Sequence, residues 1–177
     1  MIVSIIGSSN LGRMARILNK SKDEIKDLIS ETAKVIADSG YDILIVPDSA
    51  QAFFAKKYRE FGGKRVIGAI PKKDKVWGYS WLEEDLCDEV WDAGTWLEQP
   101  YFIVSNCDLV VMMGLAPGVV GELSFFKYDW KAEKPMPTVL VVEDFLRQRF
   151  PEELGFDLEN IKYVKLNELK EAIINFN

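Results

Sequence analysis

The strongest constraint on this chain is a rhythm. Short apolar runs of strand length stop at glycine, proline or a polar pair, and helix-period segments lie between them. Ile2 to Ile6 stops at Gly7, Ile43 to Val46 at Pro47-Asp48-Ser49, and Val66 to Ile70 at Pro71. Leu109 to Met113 precedes a glycine-bearing stretch, and Thr138 to Val142 repeats the pattern. Glu89 to Trp91 reads as a shorter strand, and a last one falls near Tyr163-Val164. Short runs this apolar suit strands covered on both faces, as in a parallel sheet.

Helical signals fill the gaps. A loop with a helical turn runs from Gly7 to Lys20. Ser21 and Glu24 then form an S-x-x-E capping box. Behind it Ile25, Leu28, Ile29, Thr32, Val35 and Ile36 recur at helical spacing, and Gly40 ends the helix. Further helices are expected from about Ala50 to Phe61, from Trp96 to Asn106, from Glu122 to Tyr128, and over Leu166, Leu169, Ala172 and Ile173. The pattern weakens from Lys72 to Leu86. Strands alternating with helices predict an α/β fold: a doubly wound, mostly parallel Rossmann-like sheet with helices on both faces. At 177 residues a single domain is expected over 1–177, one that buries roughly 70% of the unfolded chain's surface.

Several function classes lose support early. The net charge is −6, and the richest basic cluster, Lys72, Lys73 and Lys75, runs into acidic residues, so it reads as a solvated loop rather than a nucleic-acid site. The chain has no histidine, which removes serine–histidine and cysteine–histidine catalysis within it. Cys87 and Cys107 stand far apart without a CxxC spacing, so no metal site or disulfide framework is expected. No leader pattern and no 18-residue apolar stretch is present, so neither a membrane partner nor a location outside the cytoplasm is expected.

In a doubly wound sheet the ligand sits beyond the carboxyl ends of the strands, where strand order reverses. Two turns there are suited to an anion. Gly7, Ser8, Ser9 and Asn10 follow the first strand, with Arg13 and Arg16 close behind. Pro117, Gly118, Val119 and Gly121 follow Leu109–Met113, where glycine permits positive φ or close backbone approach. Free N–H groups at a helix start would add to both. Glu122 is expected in the first turn of the second helix, either interacting with the helix N-terminus or acting as a ribose ligand or general base. Asp48 and Ser49 follow the second strand and read as helix caps or ligand contacts. The aromatics Trp77, Tyr79, Trp81, Trp91, Trp96, Tyr101 and Phe102 could be core, a dimer contact or a stacking surface for a base.

Three stretches carry a family resemblance: Val3 to Ser9, Gly62 to Pro71 and Asn106 to Pro135. In this order they resemble the LOG-like proteins, often labelled lysine-decarboxylase-like, of the SLOG superfamily. That family's motif is P-G-G-x-G-T-x-x-E in a turn after a strand. Pro117, Gly118 and Gly121 match it; Val119 replaces its second glycine, Glu122 its threonine and Phe125 its glutamate. The upstream arginine–lysine pair of the family's enzymes is also missing. The resemblance implies a Rossmann-like protein binding a nucleotide or a phosphorylated nucleoside-like small molecule, with catalysis unassigned. Two alternatives follow from relatives. One is a nucleoside-monophosphate N-glycoside hydrolase with Glu122 or Asp48 as its carboxylate. The other is a carrier of the molybdenum cofactor, a pterin. A homodimer or higher homo-oligomer is the family-based expectation.

Overall fold

The computed structural model describes residues 1–126, 136–151 and 160–176. It contains one sheet of seven strands: β1 (Ile2–Gly7), β2 (Asp42–Ile45), β3 (Val66–Ile70), β4 (Glu89–Asp92), β5 (Leu109–Met113), β6 (Thr138–Val142) and β7 (Ile161–Val164). Every neighbouring pair is parallel, in the order β4-β3-β2-β1-β5-β6-β7. The chain moves outward from β1 to β4, returns, and continues on the other side of β1 with β5. Strand order therefore reverses between β1 and β5.

Among the described residues six α-helices connect or follow the strands: α1 (Leu11–Leu18), α2 (Lys22–Ser39), α3 (Ser49–Glu60), α4 (Gln99–Ser105), α5 (Pro117–Ser124) and α6 (Leu169–Ile174). Alternate strand residues feed two separate cores, since neighbouring side chains on a strand point to opposite faces. Val3 and Ile5 join Ile25, Ile29 and Ile36 of α2, Phe54 and Tyr58 of α3 and Leu169 and Ile173 of α6. Ile6 joins Ile103 and Val104 of α4 and Val119 and Leu123 of α5. The sheet is thus covered on both sides, as its apolar strands require.

The α2 capping box forms as its sequence dictates: Glu24 N–H donates to Ser21 Oγ at 3.1 Å, and Ser21 N–H to Glu24 Oε2 at 2.6 Å. Three boundaries differ from expectation. The turn after Gly7 grows into the eight-residue α1, because Asn10 caps it by accepting from Arg13 N–H at 2.8 Å. The helix expected from Trp96 begins at Gln99. The helix expected at Glu122 begins five residues earlier, at Pro117. Proline lacks the N–H that the first helical turn leaves unused anyway, so it starts this helix instead of ending the segment before it. The expected end of that helix, at Tyr128, lies outside the described residues.

Candidate functional site

β1 and β5 lie side by side with Gly7 opposite Met113. Their closeness depends on glycine: a Cβ at Gly7, whose φ is +153°, would run into the Met113 carbonyl. Ser8 N–H extends the pairing by donating to Met113 O at 3.2 Å. The two corners expected to hold an anion are therefore adjacent, and they open onto one cavity of about 580 Å³. Its walls come from three places. Ser8, Arg13, Met14, Ile17 and Leu18 belong to the β1 corner and α1. Gly114, Leu115, Ala116, Pro117 and Val120 belong to the β5 corner and α5. Phe145, Leu146, Arg147 and Gln148 follow β6.

Gly114 marks where the three walls meet. It sits at φ +88°, and a Cβ there would lie 3.4 Å from Phe145 O, 3.7 Å from Met14 Cε and 3.8 Å from Ser8 Cβ. The space would admit a Cβ at ordinary contact distances, so it is the left-handed backbone of the turn out of β5 that calls for glycine. From Ala116 the chain enters α5, whose first helical bond runs from Val120 N–H to Ala116 O at 3.2 Å. The amides of Gly118 and Val119 precede that bond and lack helical partners, leaving donors at a helix start, where the dipole favours negative charge. Arg13 and Arg147 supply the cationic side chains of the cavity. Among the described residues neither is paired with a carboxylate.

The expected site residues divide into four groups. Ser8 and Pro117 line the cavity, while Gly7 sits beneath it as a packing glycine. Asn10 is spent on capping α1. Ser9, Asp48 and Ser49 form a linked corner beside the cavity rather than part of its lining: Ala50 N–H donates to Ser9 O at 3.1 Å, and the Ser9 hydroxyl bonds the Asp48 carboxylate. Burial pushes Asp48 above the usual aspartate range; the Ser9 bond opposes this, and the charge of Glu83 adds to it. Ser49 occupies the left-handed region at φ 44°. Asp48 stands at the N-cap of α3 without bonding the helix through its side chain, so capping as anticipated does not occur.

The motif residues on α5 behave differently from what a glycine loop suggests. Gly118 and Gly121 have ordinary helical backbone, and a Cβ at either would meet nothing within 4 Å. Val119 and Glu122 are buried. Glu122 lies in the second turn, not the first, about 160° around the helix axis from cavity-lining Val120. The residue is 7% exposed, and its Oε2 is buried without a hydrogen-bond partner among the described residues. Burial alone pushes its pKa up to about 8.

The segment after β6 escaped the sequence reading, as did the cavity face of α1 beyond Arg13. Leu146, Arg147 and Gln148 follow a strand in the same way as the other corners, so the strand-end rule already contained the signal. The aromatics of residues 77–102 stand elsewhere. Trp81 and Trp96 stack with ring centres 5.6 Å apart, and Trp91 packs edge-on against Phe102. Tyr101 and Phe102 line a second groove with Phe125. Lys72 and Lys73 face Glu84 at 3.8 Å and Asp92 at 3.6 Å, so two of the three lysines of the basic cluster stand against carboxylates. Among the described residues no helix is long and apolar enough to cross a membrane, and no three metal-ligating side chains cluster.

Comparison with known proteins places this geometry in a structural neighbourhood. No family model matches the sequence, and no curated protein matches it. Solved structures do. The molybdenum cofactor carrier protein of Chlamydomonas reinhardtii superposes with a TM-score of 0.69 at 18% identity, covering 99% of this chain and 96% of that one. The molybdenum cofactor binding protein of the phototrophic bacterium Rippkaea orientalis gives 0.68 at 15% identity, covering 98% and 95%. The structural-genomics target TM1055 gives 0.61 at 19% identity, covering 98% of each chain. This chain shares their fold over nearly its whole length.

Proposed function

We propose that this protein binds a phosphate-bearing small molecule of nucleotide or pterin type in the cavity between β1 and β5. The observation that carries this reading is the convergence of Ser8, Arg13 and Arg147 on one cavity at the strand-order reversal, beside the start of α5 at Pro117. Backbone donors and guanidinium groups are the partners a phosphate monoester needs. The volume of about 580 Å³ lies inside the range of small-molecule sites.

Two structural neighbours are named for the molybdenum cofactor, a phosphorylated pterin. The residues here suit such a group. Gly114, at φ +88°, turns the chain at the floor, Ser8, Arg13 and Arg147 stand ready for the phosphate, and apolar walls face the remainder. The LOG-like resemblance points the same way, toward a SLOG-type binding protein. The hydrolase alternative loses its carboxylates, since neither Glu122 nor Asp48 lines the cavity. A soluble homodimer in the cytoplasm is the accompanying expectation.

Thermal unfolding with added inorganic phosphate and with nucleoside monophosphates tests this reading. A bound ligand raises apparent stability, by about 2.7 kcal/mol at a hundredfold excess over Kd. Arg13→Ala is expected to abolish most of that gain without lowering stability of the unliganded protein, because Arg13 is exposed. Equal stabilisation of wild type and variant would overturn the assignment.

A further inference from the structure

We infer that the cavity recognises its ligand by a phosphate and by the flat faces of a ring, and is indifferent to ring edges and sugar hydroxyls. This rests on the phosphate-binding reading above and narrows it. The walls beyond the anion corner are apolar: Met14, Ile17 and Leu18 on α1 face Val120 on α5 and Leu146 after β6. Ile17 keeps 40% of its surface in water on this wall. An occupant that covers it removes apolar area from water, at roughly 25 cal/mol per Å².

The polar side chains of the cavity are Ser8, Arg13, Arg147 and Gln148. Two are permanent cations that only donate, and no carboxylate lines the cavity among the described residues. In dinucleotide-binding Rossmann sites a carboxylate holds the ribose hydroxyl, and Glu122, the nearest candidate in sequence, is buried away from this cavity. A ring slid between α1 and α5 would therefore touch the protein through its faces, with its edges toward the open mouth. A site built to hydrogen-bond a hydroxyl rejects the analogue lacking it by several powers of ten, whereas an apolar wall discriminates only weakly.

Calorimetric titration with six probes separates these cases: inorganic phosphate, ribose phosphate, naphthyl phosphate, adenosine and guanosine monophosphates, and the deoxy form of the adenosine compound. The expected result is that all ring-bearing phosphates bind within about tenfold of one another and at least about tenfold tighter than ribose phosphate. Ile17→Ser is expected to weaken naphthyl phosphate several-fold and leave inorganic phosphate unchanged. The inference is overturned, with phosphate binding intact, if ribose phosphate binds as tightly as the ring compounds. It is overturned equally if the two bases, or the deoxy and ribo forms, differ by more than about a hundredfold. If none of the probes binds, inorganic phosphate included, the phosphate reading itself falls and the inference with it.

Discussion

Glu122 offers the sharpest quantitative test of the packing described above. Its carboxyl is buried on the core side of α5 and Oε2 has no partner among the described residues. Burial disfavours the charged form, so the folded protein holds the proton up to about pH 8, against an ordinary value of 4.5. In the unfolded chain the proton is lost near that ordinary value. Between the two values the folded state binds more protons than the unfolded state, so stability falls as pH rises. The contribution is fully present below the ordinary value, declines by about 1.4 kcal/mol per pH unit, and is gone above about pH 8. The whole effect is on the order of 5 kcal/mol. Glu122→Gln keeps the shape of the side chain and cannot ionise. Urea unfolding of both proteins at about pH 5, 7 and 9 isolates the group, since other titrations cancel in the difference. The variant is expected to gain on wild type by about 3 kcal/mol between about pH 5 and pH 7, and by a further 1 kcal/mol or so before the curve flattens. A difference that stays constant within about 1 kcal/mol over that range would show that Glu122 ionises as freely in the folded protein as in the unfolded chain. Its burial would then not be what sets its charge state.

Two further outcomes follow from the glycines. Gly7→Ala drives a Cβ into the Met113 carbonyl between the two central strands, and is expected to cost more than about 3 kcal/mol in chemical denaturation, or to prevent folding. Gly118→Ala and Gly121→Ala place a Cβ in open space on a helix; each is expected to be neutral or to stabilise by about 0.5–1 kcal/mol in the same assay.

Those contrasting glycines show how far the sequence could be read. Gly7 and Gly118 look alike in one dimension, each standing in a strand-to-helix corner. Only the first is required by close approach of backbones. The turn out of β5 is made by Gly114, three residues before Pro117, and Pro117 opens a helix instead of ending a segment. Propensity rules allow both readings of a proline near a helix start, and the register of β5 against β1 chooses between them. The same choice rotated Glu122 away from the cavity: moving the helix start from the glutamate to Pro117 changes which face of α5 each residue occupies.

The alternation of apolar runs with helix-period segments determined the doubly wound sheet, its two-sided cover and the edge on which a ligand would sit. These follow from local patterns, because burial on both faces of a strand leaves a mark in every residue of it. The absence of histidine likewise limits the available chemistry at the level of the sequence. Tertiary structure alone decided that the β1 and β5 corners share a cavity and that the segment after β6 completes it. It alone made Ile17 and Leu18 a wall and turned Glu122 inward. Such facts depend on which strands are neighbours and where each helix begins, and residues separated by more than a hundred positions carry no local trace of meeting.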